Sequence, residues 1–143
     1  MPHTGQCFCG QVRFTIAAEP IGARMCWCRD CQYIASGSAT VNVLFPEDAV
    51  AYEGEITTIF KTADSGNTVE RGFCPQCGSQ MYSKTVTPRG APIRIRSGTL
   101  DDPDLMGPTA IIWAGSAPEW VELDPKLPQH DKGLDSPVIE TYS

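Results

Sequence analysis

The sequence predicts a mainly β, single-domain fold built around metal, and three observations lead there. Glycine and proline are frequent, at 13 and 12 residues, and scattered along the whole length instead of gathered in a linker. That distribution suits many short strands joined by turns. Between the turn residues lie short runs that alternate apolar and polar side chains or are rich in β-branched and aromatic ones. All seven cysteines fall in three clusters at metal-ligand spacing: Cys7-Phe8-Cys9, Cys26-Trp27-Cys28-Arg29-Asp30-Cys31 and Cys74-Pro75-Gln76-Cys77-Gly78.

The elements follow in order. Residues 11–17 and 39–44 alternate apolar and polar side chains and read as strands, as do residues 93–96. Residues 57–61, 68–73, 80–86 and 110–114 carry β-branched or aromatic residues between turn signals and read the same way. Helix signals are weak. The best candidate is one short turn or helix starting around Arg29-Asp30-Cys31-Gln32 and broken by Ser36-Gly37-Ser38. From Asp124 onward proline, glycine and charge accumulate, so the expected organisation is a zinc-binding domain over residues 1–128 and an irregular, loosely packed tail over residues 129–143.

Bulk properties narrow the function. A chain of 143 residues is the usual size of one domain and can bury a real core. Lys and Arg total 11 against 17 for Asp and Glu, a formal net charge of −6, which argues against a nucleic-acid partner. The one basic run, residues 89–96, is read as the solvated face of a strand, with a local anion site as the other reading. No apolar stretch reaches the length of a membrane span, and Met1-Pro2-His3-Thr4-Gly5 lacks the basic start and apolar run of a signal peptide. A cytoplasmic protein is expected, in a reducing compartment where thiolates stay available to metal.

Seven thiolates divide naturally into four and three. Cys7 and Cys9 are two apart, so an extended strand would project both from one face. Cys74 and Cys77 flank a tight turn, and the following Gly78 is free to take positive φ and aim backbone N–H groups at the sulfurs. Together the two pairs make a closed four-cysteine site. Cys26, Cys28 and Cys31 lie within six residues and can cap one face of a second zinc, leaving its fourth position open. The alternative division joins Cys28 and Cys31 with Cys74 and Cys77 in a zinc-ribbon-like site, leaving Cys7, Cys9 and Cys26 over.

An open three-thiolate zinc is a weak Lewis acid and a poor activator of water, but it suits an incoming thiol, whose pKa it lowers. Adding a fourth thiolate raises the negative charge, so a nearby cation would help, and Arg24 and Arg29 sit beside the triplet. The only histidines, His3 and His130, lie toward the termini and are not expected to act as general bases.

These motifs carry a resemblance. Gln6-Cys7-Phe8-Cys9-Gly10, the Cys26–Cys31 cluster leading to Ser36-Gly37-Ser38, and Phe73-Cys74-Pro75-Gln76-Cys77-Gly78 resemble the glutathione-dependent formaldehyde-activating enzyme family, which includes centromere protein V. Ser97-Gly98-Thr99-Leu100-Asp101-Asp102-Pro103 and the tryptophans Trp113 and Trp120 fit the same pattern. The resemblance implies a twisted, antiparallel all-β fold shared with the methionine-R-sulfoxide reductases. It implies two zinc ions per chain, one structural on Cys7, Cys9, Cys74 and Cys77 and one catalytic on Cys26, Cys28 and Cys31. The implied activity is that of a carbon–sulfur lyase making S-hydroxymethylglutathione from formaldehyde and glutathione. One position departs from the pattern: where relatives often carry a histidine at the start of the late aromatic strand, this chain reads Ala110-Ile111-Ile112-Trp113. The competing reading is a zinc-stabilised binding module, its second metal completed by a side chain such as Asp30. Sulfoxide reduction would need a redox cysteine outside the clusters, and there is none.

Overall fold

A computed structural model describes residues 2–139. Its strands are β1 (His3–Gln6), β2 (Arg13–Ile16), β3 (Gly22–Cys26), β4 (Thr40–Phe45), β5 (Val50–Glu53), β6 (Thr57–Thr62), β7 (Thr68–Phe73), β8 (Gln80–Thr87), β9 (Ile93–Arg96) and β10 (Ala110–Ile112). The one α-helix described, α1 (Arg29–Ile34), is a short piece between β3 and β4. The strands form a three-stranded sheet, β1-β2-β5, and a seven-stranded sheet, β10-β3-β4-β9-β8-β7-β6. Pairing is antiparallel throughout except that β10 runs parallel to β3. No helix among the described residues is long and apolar enough to cross a membrane.

The core lies between the sheets. Phe14 and Ile16 of β2 join Val43 and Phe45 of β4, Ile93 and Ile95 of β9, and Met81 and Tyr82 of β8 in one buried cluster. Alternation explains the choice on β2, β4 and β9, where every second side chain turns inward, and on β8 a register shift against β7 lets the neighbours Met81 and Tyr82 both join the core. Gly72 of β7 sits beneath the Tyr82 ring, where a Cβ would lie 2.3 Å from ring carbon, so the position has room only for glycine. A second, smaller cluster gathers Trp27, Ala39, Ile111 and Ala114 near β10.

Three strands went unpredicted. β1 reads His-Thr-Gly-Gln, β3 has arginine and methionine where alternation would want contrast, and β5 is short. Each is specified by its neighbours, which the local pattern does not contain. The segment after Asp124 is irregular, as composition suggests, but it is tied down. The N–H groups of Ile111 and His130 bond to Pro128 O and Ile111 O, Gln129 is buried, and Ile139 packs on the Trp27 cluster. Backbone pairing to β10 does what apolar composition does not.

Candidate metal centres

The structure brings Cys7, Cys9, Cys74 and Cys77 together, and separately Cys26, Cys28 and Cys31; within each group the sulfurs lie within 4.8 Å of one another. All seven are free of disulfides. Four thiolates about 2.3 Å from a tetrahedral zinc stand roughly 3.8 Å apart. Cys7 Sγ–Cys9 Sγ is 3.6 Å and Cys9 Sγ–Cys74 Sγ is 3.8 Å. The donor set and its spacing therefore fit a closed metal site.

The first group is assembled by two turns, which corrects the expectation that Cys7 and Cys9 lie on a strand. β1 ends at Gln6. The Gly10 N–H then bonds back to Cys7 O at 3.1 Å, and Gly10 takes φ +82°. That turn, not the strand pleat, points both sulfurs one way. The second turn behaves as its sequence demands: Gly78 takes φ +78° and its N–H bonds to Cys74 O at 2.8 Å. A register shift between Gly72 and Phe73 of β7 leads into it. Neutral donors surround the sulfurs. Val12 N–H reaches Cys7 Sγ at 3.2 Å, the Gln11 side-chain amide reaches Cys74 Sγ at 3.4 Å, and the Ser79 hydroxyl lies 3.2 Å from Cys77 Sγ. Bonding to Ser79, first through its side chain and then its backbone, pulls the Cys77 thiol down to about 5.

The second group is built at a strand-to-helix corner. Cys26 closes β3, Cys28 is the N-cap of α1, accepting from Cys31 N–H at 3.3 Å, and Cys31 lies in the first turn of the helix. Buried Gln32 pins this corner, its amide donating to Trp27 O at 2.8 Å and Ser116 O at 3.0 Å. Cys26 and Cys31 are buried and Cys28 only half so, which gives the group one open side.

A chain of hydrogen bonds ends on this group. Arg96 Nη1–H donates to Asn42 Oδ1 at 2.6 Å, Asn42 Nδ2–H to Thr40 Oγ1 at 3.0 Å, and Thr40 O–H to Cys31 Sγ at 3.1 Å. Bonding from Cys26 and Cys28, then from Thr40, with the charge of Arg96 behind it, holds the Cys31 thiol far below its ordinary value. The bonds it shares with Cys28 and Cys31, together with burial, push Cys26 up instead.

Other candidates are placed elsewhere. Asp30 is engaged by Lys61 and lies 3.9 Å from Arg71, and it does not join the sulfur group. Arg29 bonds to Gln32 and stacks over Tyr33 at 5.2 Å. His3 pairs with Glu19, and His130 bonds to Ser136 O. Thr40, Asn42 and Arg96 escaped sequence reasoning as site residues. The only signal for Arg96 was the basic run, read as a solvated strand face with a local anion site as the other reading, whereas Arg96 is buried.

Two comparisons bear on these centres. A family model described as glutathione-dependent formaldehyde-activating enzyme matches residues 2–116, which include all seven cysteines. No curated protein matches the chain.

Proposed function

Since the chain belongs to the glutathione-dependent formaldehyde-activating enzyme family, we propose that it is a zinc-dependent enzyme of the carbon–sulfur lyase type, joining a small thiol to a small aldehyde at Cys26, Cys28 and Cys31. Glutathione and formaldehyde are the first substrates to try. Cys7, Cys9, Cys74 and Cys77 would hold a structural zinc, and Cys26, Cys28 and Cys31 a catalytic one. The observation that carries this reading is the unequal count: four sulfurs converge in one group and three in the other. A zinc held by three thiolates keeps a position open and, when bound, lets an incoming thiol ionise at neutral pH.

The chain's own residues supply the rest. Thr40 fixes the Cys31 side chain and stabilises negative charge on its sulfur, and Asn42 and Arg96 hold Thr40 in turn. Gln32 fixes the corner that carries Cys28 and Cys31. Half-buried Cys28 marks the side from which reactants arrive. Holding thiol and aldehyde together there converts a bimolecular addition into one between positioned groups. In that addition sulfur bonds to the carbonyl carbon, the C=O electron pair moves to oxygen, and oxygen takes up the proton that the thiol released. Free cysteines at two centres suit a reducing compartment, so the proposed location is the cytosol.

The test uses cobalt in place of zinc. Adding glutathione should intensify the sulfur-to-metal charge-transfer absorption as a fourth thiolate arrives. An unchanged spectrum at millimolar glutathione would remove the thiol reading and leave a metal-stabilised binding module.

A further inference from the structure

The register of the seven-stranded sheet sorts its side chains onto two faces, and the one turned away from the core carries charge. Arg24, Asn42 and Arg96 are cross-strand neighbours on β3, β4 and β9. One step along, Arg94 lies opposite Ser83, and Ser83 opposite Arg71. Strand side chains alternate with period two, so Arg24 shares a face with Cys26, and Arg94 with Arg96. Four guanidiniums therefore share one face with the three-cysteine group, in a chain whose net charge is −6.

Their protein partners do not balance them. Arg71 and Arg96 are each only 7% exposed, and arginine buried so deeply is normally paired. Asp30 lies 3.9 Å from Arg71 but also serves Lys61. Among the described residues no carboxylate lies within ion-pair distance of Arg24, Arg94 or Arg96. Arg71 Nε and both Nε and Nη2 of Arg96 are buried without a hydrogen-bond partner. Arg94 donates to the neutral hydroxyls of Ser83 and Thr85. Burial first, then the charges of Arg71 and Arg94 against the pull of Cys31, bring Arg96 down to about 10. A metal held by three thiolates would add only a single net negative charge.

We propose that Arg24, Arg71, Arg94 and Arg96 form a carboxylate-binding subsite beside Cys26, Cys28 and Cys31, so that the molecule processed there carries a carboxylate. Arg24 and Arg94, each half-buried, are the members that meet the ligand, and buried Arg71 and Arg96 supply the field behind them. A carboxylate matches the planar guanidinium fork. Phosphate sites usually gather backbone N–H groups at a glycine-rich loop or helix start, and this face offers side chains. The subsite rests on reading the triad as the reaction centre and narrows its substrate. The carboxylate belongs to the thiol, as in glutathione, or to the carbonyl compound, as in glyoxylate.

Calorimetric titration of the zinc-loaded protein with two matched pairs separates these sources: glutathione against its diethyl ester, and glyoxylate against glycolaldehyde. In at least one pair the carboxylate form should bind tenfold or more tighter, as expected for a charge-assisted guanidinium contact. Arg24→Gln and Arg94→Gln should each cut that preference about tenfold and leave the neutral partner's affinity unchanged. Arg24 makes no side-chain hydrogen bond among the described residues, so its variant decides if Arg94→Gln fails to fold. Equal binding of both forms in both pairs, or a preference that survives in Arg24→Gln and a folded Arg94→Gln, overturns the subsite. Failure of both thiols to bind wild type would sink the thiol chemistry, and the glyoxylate pair would then decide the subsite alone.

Discussion

The four-cysteine group draws its sulfurs from two turns, with Cys9 and Cys74 65 positions apart in sequence, and only neutral groups donate to them: backbone N–H, an amide and a hydroxyl. The three-cysteine group takes its sulfurs from one strand-to-helix corner and is reached by a buried arginine through two intervening side chains. Charge alone would have put the cations at the other site. Four thiolates around a divalent zinc leave two negative charges and three leave one, yet the arginines cluster beside the smaller deficit. Neutralising a resident metal therefore does not explain where these arginines sit, whereas the visiting anion proposed above would.

The comparison is broken most decisively at its structural half. Cys74→Ser removes a buried thiolate from the closed group, where zinc binding is worth on the order of 10 kcal/mol, comparable with the stability of a whole domain. The product should be insoluble or show no cooperative melt, with zinc content reduced in whatever remains soluble. A wild-type melting curve with unchanged zinc would mean that these four sulfurs do not form a structural site.

Next comes Cys28→Ser, which should separate folding from binding. Serine is a good N-cap, so it preserves the acceptor for Cys31 N–H and the start of α1. The fold should persist while metal analysis shows one zinc fewer and glutathione no longer binds. If this variant unfolds as badly as Cys74→Ser, the two roles are reversed.

Thr40→Val is smaller in effect. It keeps the shape but leaves Asn42 Nδ2 and Cys31 Sγ without their common partner, at a cost of about 1–3 kcal/mol in denaturant unfolding. It should also weaken thiol binding to the cobalt-loaded protein, because the triad loses a donor. Unaltered stability and unaltered thiol affinity would remove Thr40 from the site. Smallest is Ser79→Ala at the closed group, where losing the acceptor for Phe8 N–H should cost about 1 kcal/mol and leave thiol affinity untouched. A change in thiol affinity there would erase the distinction between the groups.

How far sequence alone reaches follows the same division. Cysteine spacing marked three clusters because each is a short local motif, and Gly78 announced its own turn, but which clusters share a site is settled by the fold, which sets aside the division joining Cys28 and Cys31 with Cys74 and Cys77. β7 and β9 matched the bounds their local patterns suggested, because those patterns hold between clear turn residues. The arginine face did not emerge, since it is a property of register. Arg24, Arg71, Arg94 and Arg96 come from three separate strands of the sheet, β3, β7 and β9, and nothing in any one strand says which face it will turn to Cys26. The Thr40–Asn42–Arg96 chain was hidden for the same reason: it runs across strands, perpendicular to the sequence.

The unequal spans of the two groups also set an order of assembly. A triad confined to Cys26–Cys31 can capture a metal while the rest of the chain is unstructured, whereas bringing Cys9 to Cys74 closes a loop of 65 residues. The longer closure costs about 2 kcal/mol more in chain entropy and waits on the pairing of distant strands. During synthesis the early triad is complete long before Cys77 emerges. Metal offered throughout refolding should therefore register first in the local group, and a scarce supply would be trapped there before the long loop can close.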